Sequence, residues 1–292
     1  KTKYPAGVFV WDAQTGKFLK RLGDHDESVD FLAFSASSQR LISGHIGRAQ
    51  SKDPEPTVIQ VWDLRRSKLK SKFGIDGTAK RPRMTADGKS FVWLGQDESL
   101  SVWNLDKGKK LWQLKDTGLK HFDISPDGKQ IVGNFFQYEK IEVSGKPRRK
   151  IVSRGFKAWN LSDGKELWQV DSDDRHLLGM QVFFHPQGEK FFAVAGGNSN
   201  KPGTLVSFDA SDGAVEEQMT LKDLDSIGTV GISADGSRIA NKAFMGKTLT
   251  VWSLDDGKQL LHLTATFPDN FRNVAFSWDL DHVGGDVPGT KK

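Results

Sequence analysis

Two stretches of this chain are near-copies of each other. Residues 102–114 read VWNLDKGKKLWQL, and residues 158–170 read AWNLSDGKELWQV. Weaker copies follow the same plan, in which a short alternating run ends on a large aromatic residue and a turn follows. Repeats at this spacing indicate a fold that stacks one small unit many times. We interpret the recurring aromatic as the structural wedge of each unit; the six are Trp11, Trp62, Trp103, Trp159, Phe208 and Trp252.

Segments with the composition of tight turns lie between these copies. Examples are TADGK at 85–89 and SPDGK at 125–129, in which Asp and Gly occupy the positions that favour turn conformations. Short apolar runs flank most of these turns. The resulting order is strand, turn, strand, loop, strand ending in the aromatic, turn and strand. This order predicts a four-stranded antiparallel meander as the repeating unit.

The spacing of the two repeats shows where the chain varies in length. From each aromatic to the fourth residue of the next tight turn there are 25 to 29 residues, whereas from that residue to the next aromatic there are 15 to 31. Strands that must stay in register tolerate little change in length, while a projecting loop tolerates much more. The insertions are therefore predicted to lie in the loop between the second and third strands.

The motifs resemble those of WD-repeat β-propellers. VWD, VWN and AWN at strand ends, followed by turns such as DGK and TGK, are similar to the repeats of that family and cover essentially the whole chain. His25 and Asp97 lie near the positions of a His and an Asp in the family's hydrogen-bonded network, while most other copies lack these partners. The resemblance implies an all-β fold of four-stranded antiparallel blades, in one domain over residues 1–292.

The two ends of the chain determine the expected number of blades. The chain begins on a third strand at residues 8–12 and ends after a first and a second strand. The N- and C-terminal strands would then share one blade and close the ring. This arrangement predicts six blades, and seven, the commoner number in the family, is the alternative.

The longest insertion, residues 134–156, is predicted to form a projecting hairpin with a basic tip, because alternating runs flank the segment SGKPRR. By the resemblance, this loop and the blade linkers, such as DGTAKRPRM at 76–84, lie on the top face of the propeller. The basic residues of the two segments are Lys80, Arg81, Arg83, Lys140, Lys146, Arg148, Arg149, Lys150 and Arg154. We interpret them as a docking surface for a protein or peptide with an acidic patch. A solvated loop without a partner is the alternative.

The charge balance favours a protein partner over a nucleic acid. The net charge is 42 − 37 = +5, and acidic segments such as the one containing Asp171, Asp173 and Asp174 are expected on the same face. Phosphate tracking favours one continuous positive stripe, so nucleic-acid binding is not expected. A face with both signs suits a protein interface. The sequence is thus interpreted as a non-catalytic interaction scaffold, either monomeric or part of a larger assembly or multidomain chain.

Chemical activity would need residues that converge on one site. The chain has no cysteine, and its seven histidines fall in different repeats without an HExxH pattern. Neither a metal nor a cofactor is therefore expected. The alternative is a propeller enzyme, or a cofactor- or metal-binding propeller, quinoprotein-like or hydrolase-like. Its carboxylates, such as Asp30 and Asp123, would lie at the channel mouth. Trp112 and Trp168 resemble a tryptophan-docking motif of quinoprotein propellers, but only two copies carry this second tryptophan.

No run of about 18 apolar residues is present, so membrane insertion is not expected. The first residues lead straight into a strand-like segment, and no signal peptide is predicted. This favours the cytoplasm, although a leader removed upstream of residue 1 leaves the compartment open.

Overall fold

The computed structural model consists of β-strands joined by turns. It describes residues 6–11, 15–26, 29–35, 39–47, 55–77, 79–144, 146–172, 181–197, 202–224, 226–243, 248–264, 272–276 and 283–286. The strands are β1 (Ala6–Trp11), β2 (Phe18–His25), β3 (Phe31–Phe34), β4 (Arg40–His45), β5 (Thr57–Asp63), β6 (Lys68–Ile75), β7 (Ala79–Met84), β8 (Ser90–Gly95), β9 (Leu100–Asn104), β10 (Lys109–Leu114), β11 (Leu119–Ile124), β12 (Gln130–Val143), β13 (Lys146–Asn160), β14 (Glu166–Asp171), β15 (Gln181–Phe184), β16 (Lys190–Ala195), β17 (Gly203–Asp209), β18 (Val215–Leu221), β19 (Thr229–Ile232), β20 (Arg238–Lys242), β21 (Thr248–Ser253), β22 (Gln259–Thr264), β23 (Arg272–Phe276) and β24 (Val283–Asp286).

The fold is an all-β propeller whose blades are sequential four-stranded sheets. Blade 1 contains β3–β6, blade 2 β7–β10, blade 3 β11–β14, blade 4 β15–β18 and blade 5 β19–β22. In each blade the strands are hydrogen-bonded in chain order. The predicted meander is confirmed, because consecutive strands of each blade are hydrogen-bonded neighbours.

The described residues form five complete blades, so the predicted six blades, and the alternative of seven, are wrong as blade counts. The remaining strands form two separate two-stranded sheets, β1 with β2 and β23 with β24. One of these half-blades, β1–β2, carries the sixth repeat aromatic, Trp11, which is why the sequence has more copies of the aromatic than complete blades. Local motifs indicate which strands neighbour each other along the chain, but they do not determine pairing between its two ends. Ring closure by the terminal strands stays a prediction.

The chain divides into two compact units. The first consists of residues 1–119 with the turn segments 127–130 and 160–165, and contains β1–β2, blade 1 and blade 2. The second consists of residues 120–126, 131–159 and 166–292, and contains most of blade 3, blades 4 and 5, and β23–β24.

The burial of side chains depends on the position of their strand within the blade. The second and third strands are buried on both faces, as in β16 and β17, whereas the fourth strand alternates or is largely exposed, as in β14 and β18. The difference follows from the sequence, since β16 reads KFFAVA while β18 reads VEEQMTL. A strand buried on both faces needs a continuous apolar run, and an outer strand does not.

Tight turns join the first and second strands. In the turn at residues 233–237, the Ser233 hydroxyl donates to the Asp235 carboxylate (2.6 Å), which also accepts from the backbone nitrogen of Ser237 (3.0 Å). These hydrogen bonds, led by that of Ser233, lower the pKa of Asp235 to about 2. The hydrogen bonds of the ionised Asp235 therefore stabilise the folded state at pH values above the ordinary pKa of an aspartate. This contribution is lost as the pH falls towards 2.

In the first unit, apolar side chains from adjacent sheets pack together. Trp62 joins Val8, Leu22, Leu41 and Leu64 in one cluster. A second cluster lies between blades 1 and 2 and contains Ile42, Ile59, Val61, Ile75, Phe91, Trp93 and Leu105. The salt bridge between Arg40 and Asp106 (2.9 Å) also joins these two blades.

In the second unit, two clusters of the same kind hold blades 3, 4 and 5. Between blades 3 and 4 the Phe156 and Phe208 rings lie 4.6 Å apart, and Phe191 stacks on Phe208 at 4.8 Å. Between blades 4 and 5, Trp252 packs in a cluster with residues such as Leu221. Close packing of this kind supplies most of the stabilisation of a repeat protein, since one sheet cannot bury both of its faces alone.

The six repeat aromatics occupy different environments. Trp62, Trp159, Phe208 and Trp252 are buried, and Trp103 is half-buried. Trp11 is 55% exposed and lies in an aromatic group with Phe9 and Phe18. It stands on the sheet β1–β2, which has two strands where a blade has four.

The second tryptophan of the two near-copies makes the same contact twice. In the first unit, Trp112 Nε1 donates to the carbonyl oxygen of Leu161 (2.8 Å); in the second, Trp168 Nε1 donates to that of Ala210 (3.1 Å). Both carbonyls lie two residues after the repeat aromatic of the following blade. The near-copies therefore share a requirement to dock an outer strand onto the next turn.

Ser67 occupies a turn position that is glycine in the other repeats. Its φ is 53°, a left-handed conformation that residues with a Cβ adopt at a cost. The equivalent glycines also have positive φ and are Gly16, Gly108, Gly164, Gly213 and Gly257.

We expect Ser67→Gly to raise the free energy of unfolding by about 1 kcal/mol, because it removes this strain. Urea denaturation measures the change. Ser67→Ala is the control, since it retains a Cβ and should leave stability nearly unchanged. Equal stabilities of the glycine and alanine variants would contradict the assignment of strain.

Candidate functional site

The longest strands of the described chain form a hairpin in the second unit. β12 has 14 residues and β13 has 15, whereas β14 pairs with β13 only from Gly155 to Trp159. The predicted projecting hairpin is confirmed. Its two strands meet near Ser144, whose φ of 52° helps to reverse the chain. We name residues 137–154 the basic hairpin.

The basic hairpin carries the greater part of the predicted docking residues. Its exposed cationic residues are Lys140, Lys146, Arg148, Arg149 and Lys150. Arg154 lies half-buried at the base, where its Nε donates to the carbonyl oxygen of Ser172 (3.1 Å). Glu139 and Glu142 are also exposed on β12, so most of the positive charge lies on β13. The result is a solvent-facing strand with a high density of cations.

A stack of aromatic rings and cations lies at the base of the hairpin, and sequence analysis did not identify it. The rings of Phe136 and Tyr138 are stacked with centroids 6.3 Å apart. Lys120 Nζ lies 5.3 Å from the Tyr138 centroid, and the Arg149 guanidinium carbon lies 5.9 Å from it. Cation–π contacts of this kind are worth about 0.5–1 kcal/mol each at exposed sites. The signal in the sequence was the FFQY segment, which places two aromatics on one face of a strand.

Further contacts fix the hairpin to its blade. Lys157 Nζ lies 4.6 Å from the centroid of the Phe135 ring and 3.5 Å from the Glu166 carboxylate. The Ser153 hydroxyl donates to the Asp171 carboxylate (3.1 Å). The base of the hairpin is therefore held by side chains of both flanking strands, which limits the ordering needed on binding.

The basic linker lies in the first unit. Arg83 is exposed on β7, while the side chains of Lys80 and Arg81 lie outside the described residues. Other loops expected to carry function also fall partly outside them, at residues 48–54, 173–180 and 198–201. The nine predicted docking residues thus divide between the units, three in the first and six in the second.

One complete polar network lies in the first unit. The Ser43 hydroxyl is 2.7 Å from His25 Nε2 and accepts a hydrogen bond of 2.7 Å from Trp62 Nε1. Burial lowers the pKa of His25 below its ordinary value, so the neutral ring is favoured. The resemblance indicated the histidine but not Ser43, whose place depends on strand register. In blade 2, Asp97 accepts from the backbone nitrogen and hydroxyl of Ser99 (3.1 and 2.7 Å).

The two carboxylates considered as channel-mouth candidates hold the backbone. Asp30 accepts from the backbone nitrogen of Ile46 (2.7 Å) and lies 3.0 Å from His45 Nδ1. Asp123 accepts from the backbone nitrogen of Phe184 (3.0 Å) and so connects blades 3 and 4. In the described ranges no three His, Asp or Glu side chains are grouped in a way that could hold a metal ion. These positions are accounted for by structural hydrogen bonds.

A cleft of about 660 Å³ lies in the first unit. Its walls include the rings of Trp93 and Trp103, with Lys110 Nζ 5.7 Å from the centroid of the Trp103 ring. Asp76 and Asp97 also line it. Because cations and carboxylates occur together, the charge of the cleft does not favour one class of ligand.

The chain is similar to several known proteins, each over somewhat more than a third of its length. No family model matches the chain. It is 28% identical over 104 residues to the periodic tryptophan protein 2 homolog of Schizosaccharomyces pombe, covering 35% of this chain and 11% of the relative. It is 26% identical over 113 residues to the Lissencephaly-1 homolog of Caenorhabditis briggsae, covering 39% and 25%. It is also 26% identical over 102 residues to human WD repeat and SOCS box-containing protein 1, covering 34% and 22%.

The matched part of this chain thus spans a quarter or less of the length of these relatives. The blades, the repeated motifs and these matches agree on one class. The chain is similar to WD-repeat proteins, and its described residues form a β-propeller. Across the described ranges, no helix has both the length and the apolarity to cross a membrane.

Proposed function

We propose that this protein is a non-catalytic interaction scaffold and that the basic hairpin is its docking element for an acidic protein or peptide. The proposal rests chiefly on one observation, the extension of β12 and β13 beyond the blade with exposed cations on β13. A loop needed only to connect two strands can be much shorter, as in the turns between the first and second strands. WD-repeat relatives are typically interaction scaffolds.

The geometry also suits docking in energetic terms. The hairpin is anchored by Arg154, Lys157 and the stack on Tyr138, so little conformational entropy is lost when a partner binds. Exposed cations attract an acidic surface and raise the association rate. The interpretation of residues 1–292 as one domain, and of Lys80, Arg81 and Arg83 as part of the docking surface, belongs to this proposal. Nucleic acid and membrane lipid are not proposed as partners.

Affinity capture from a lysate of the source cells tests the proposal. One bait is the intact protein, and in the other the segment Lys146–Arg154 is replaced by a short Gly-Ser turn. Both must show the same thermal melting, so that folding is not the variable. We expect a partner that is retained by the first bait and lost by the second. Equal capture by both baits would contradict a docking role for the hairpin.

A matched control separates the position of charge from its amount. In the test variant Lys146, Arg148, Arg149 and Lys150 are changed to serine. In the control variant four exposed turn lysines are changed to serine; these are Lys68, Lys109, Lys165 and Lys258. Both proteins lose the same net charge. Capture should be lost in the test variant and preserved in the control, whereas equal loss would indicate a nonspecific charge effect.

A further inference from the structure

We propose that an acidic, extended peptide segment binds the basic hairpin by adding as a strand to the edge of β13 at residues 146–153. This inference rests on the proposed docking function and specifies its partner and geometry. β13 pairs with β14 only from Gly155 onward. Among the described residues, no strand lies beside residues 146–153 on the side where β14 pairs. The edge of β13 therefore extends beyond the last residue that β14 covers.

The direction of the backbone groups follows from one hydrogen bond. The backbone nitrogen of Ser172 donates to the carbonyl oxygen of Arg154 (2.8 Å), so the backbone polar groups of Arg154 point towards β14. Directions alternate along a strand. The N–H and C=O groups of Arg148, Lys150 and Val152 therefore point to the same side as those of Arg154. The groups of the intervening residues point towards β12.

The side chains along this edge select the chemistry of the added strand. Lys146, Arg148 and Lys150 are exposed at alternate positions. Cationic side chains on an edge strand hinder pairing with a second copy of the same edge, and they favour a strand carrying carboxylates. Val152 is 53% exposed and Ile151 37%, which offers apolar contacts at the base. The complementary segment thus alternates acidic and apolar residues, and main-chain hydrogen bonds supply its affinity.

Synthetic peptides and amide hydrogen exchange of the full chain test this geometry. The probe is a ten-residue peptide of alternating glutamate and valine. Its control carries proline in place of each valine, which preserves the charge but prevents regular strand pairing. We expect fluorescence anisotropy to give at least ten-fold tighter binding for the glutamate–valine peptide. At saturation, the amides of Arg148, Lys150 and Val152 should exchange at least ten-fold more slowly, while those of Arg149, Ile151 and Ser153 change little.

The other outcomes overturn the inference. Equal binding of both peptides, or no change in exchange on the β13 edge, would mean that charge alone attracts the peptide. Equal or tighter binding of a ten-nucleotide oligothymidylate would indicate phosphate tracking, and protection of the edge by a second copy in the free protein would indicate self-association. Failure of the glutamate–valine peptide, with hairpin-dependent capture preserved, overturns strand addition and leaves the proposed function standing. Capture that is independent of the hairpin overturns the proposed function itself.

Discussion

Replacing Trp252 by alanine is expected to lower the free energy of unfolding by about 3–5 kcal/mol, a large effect for a single substitution. Its side chain is fully buried between blades 4 and 5, where it packs in a cluster that includes Leu221 and Leu224. Its Nε1 donates to the carbonyl oxygen of Lys222 (2.9 Å). Removal of the ring would leave a large cavity and would break this hydrogen bond. Chemical denaturation measures the loss.

Two further variants identify the origin of this effect. Trp252→Phe preserves most of the apolar contact but removes the hydrogen-bond donor, and should cost about 1–3 kcal/mol. Trp11→Ala removes the same side chain from the sheet β1–β2, where it is 55% exposed, and should cost well under half as much as Trp252→Ala. Equal losses for the two alanine variants would contradict the idea that burial between blades determines the contribution of each repeat aromatic.

Replacing Gly213 by alanine is expected to lower the free energy of unfolding by about 3 kcal/mol, from backbone strain and overpacking together. Gly213 has a φ of 77°, and a Cβ there would lie 2.6 Å from the Trp168 ring and 2.9 Å from a methyl of Val170. The glycine therefore both forms the turn and makes room for the outer strand of the preceding blade. Thermal and urea denaturation measure the change.

Gly16 offers a matched control, because its φ is 66° and, apart from its chain neighbours, no atom of the described residues lies within 4 Å of an added Cβ. Gly16→Ala should cost only the backbone contribution, about 1 kcal/mol. The overpacking contribution should also depend on Trp168, so Gly213→Ala should cost less in a Trp168→Leu background than in the native chain. Equal costs at Gly16 and Gly213 would contradict the proposed contact with Trp168.

The repeating unit could be predicted from sequence because its signals are local. A turn such as SADGS fixes its own geometry through Ser233 and Asp235, and the alternation on either side fixes the strands. The hairpin formed by β12 and β13 was predictable for the same reason. These features depend on residues within a few positions of one another.

The number of blades could not be predicted in the same way. Pairing between β1 and the last strands would join residues more than two hundred positions apart, without a connecting turn to specify it. No short turn motif specifies which strands pair when they are so far apart along the chain. The structure describes two half-blades where the repeats suggested one whole blade.

The candidate site was also only partly visible in the sequence. Runs of arginine and lysine in the sequence indicated the tip at Arg148 and Arg149. Lys120 was not predicted, because it lies on β11 and contacts Tyr138 only when β11 and β12 are side by side in the sheet. Ser43 was missed for a related reason, since its contacts with His25 and Trp62 span three strands. Such contacts depend on register, which the pattern of apolar residues determines only to within a face.

The dissociation constant of the captured partner, measured by titration calorimetry, decides whether the basic hairpin is the docking element. The proteins compared are the intact chain, the variant without the four hairpin cations, and the variant without the four turn lysines. We expect at least 100-fold weaker binding for the hairpin variant and less than a three-fold change for the turn-lysine variant. The same dissociation constant for the intact chain and the hairpin variant would contradict the assignment of the basic hairpin as the docking element.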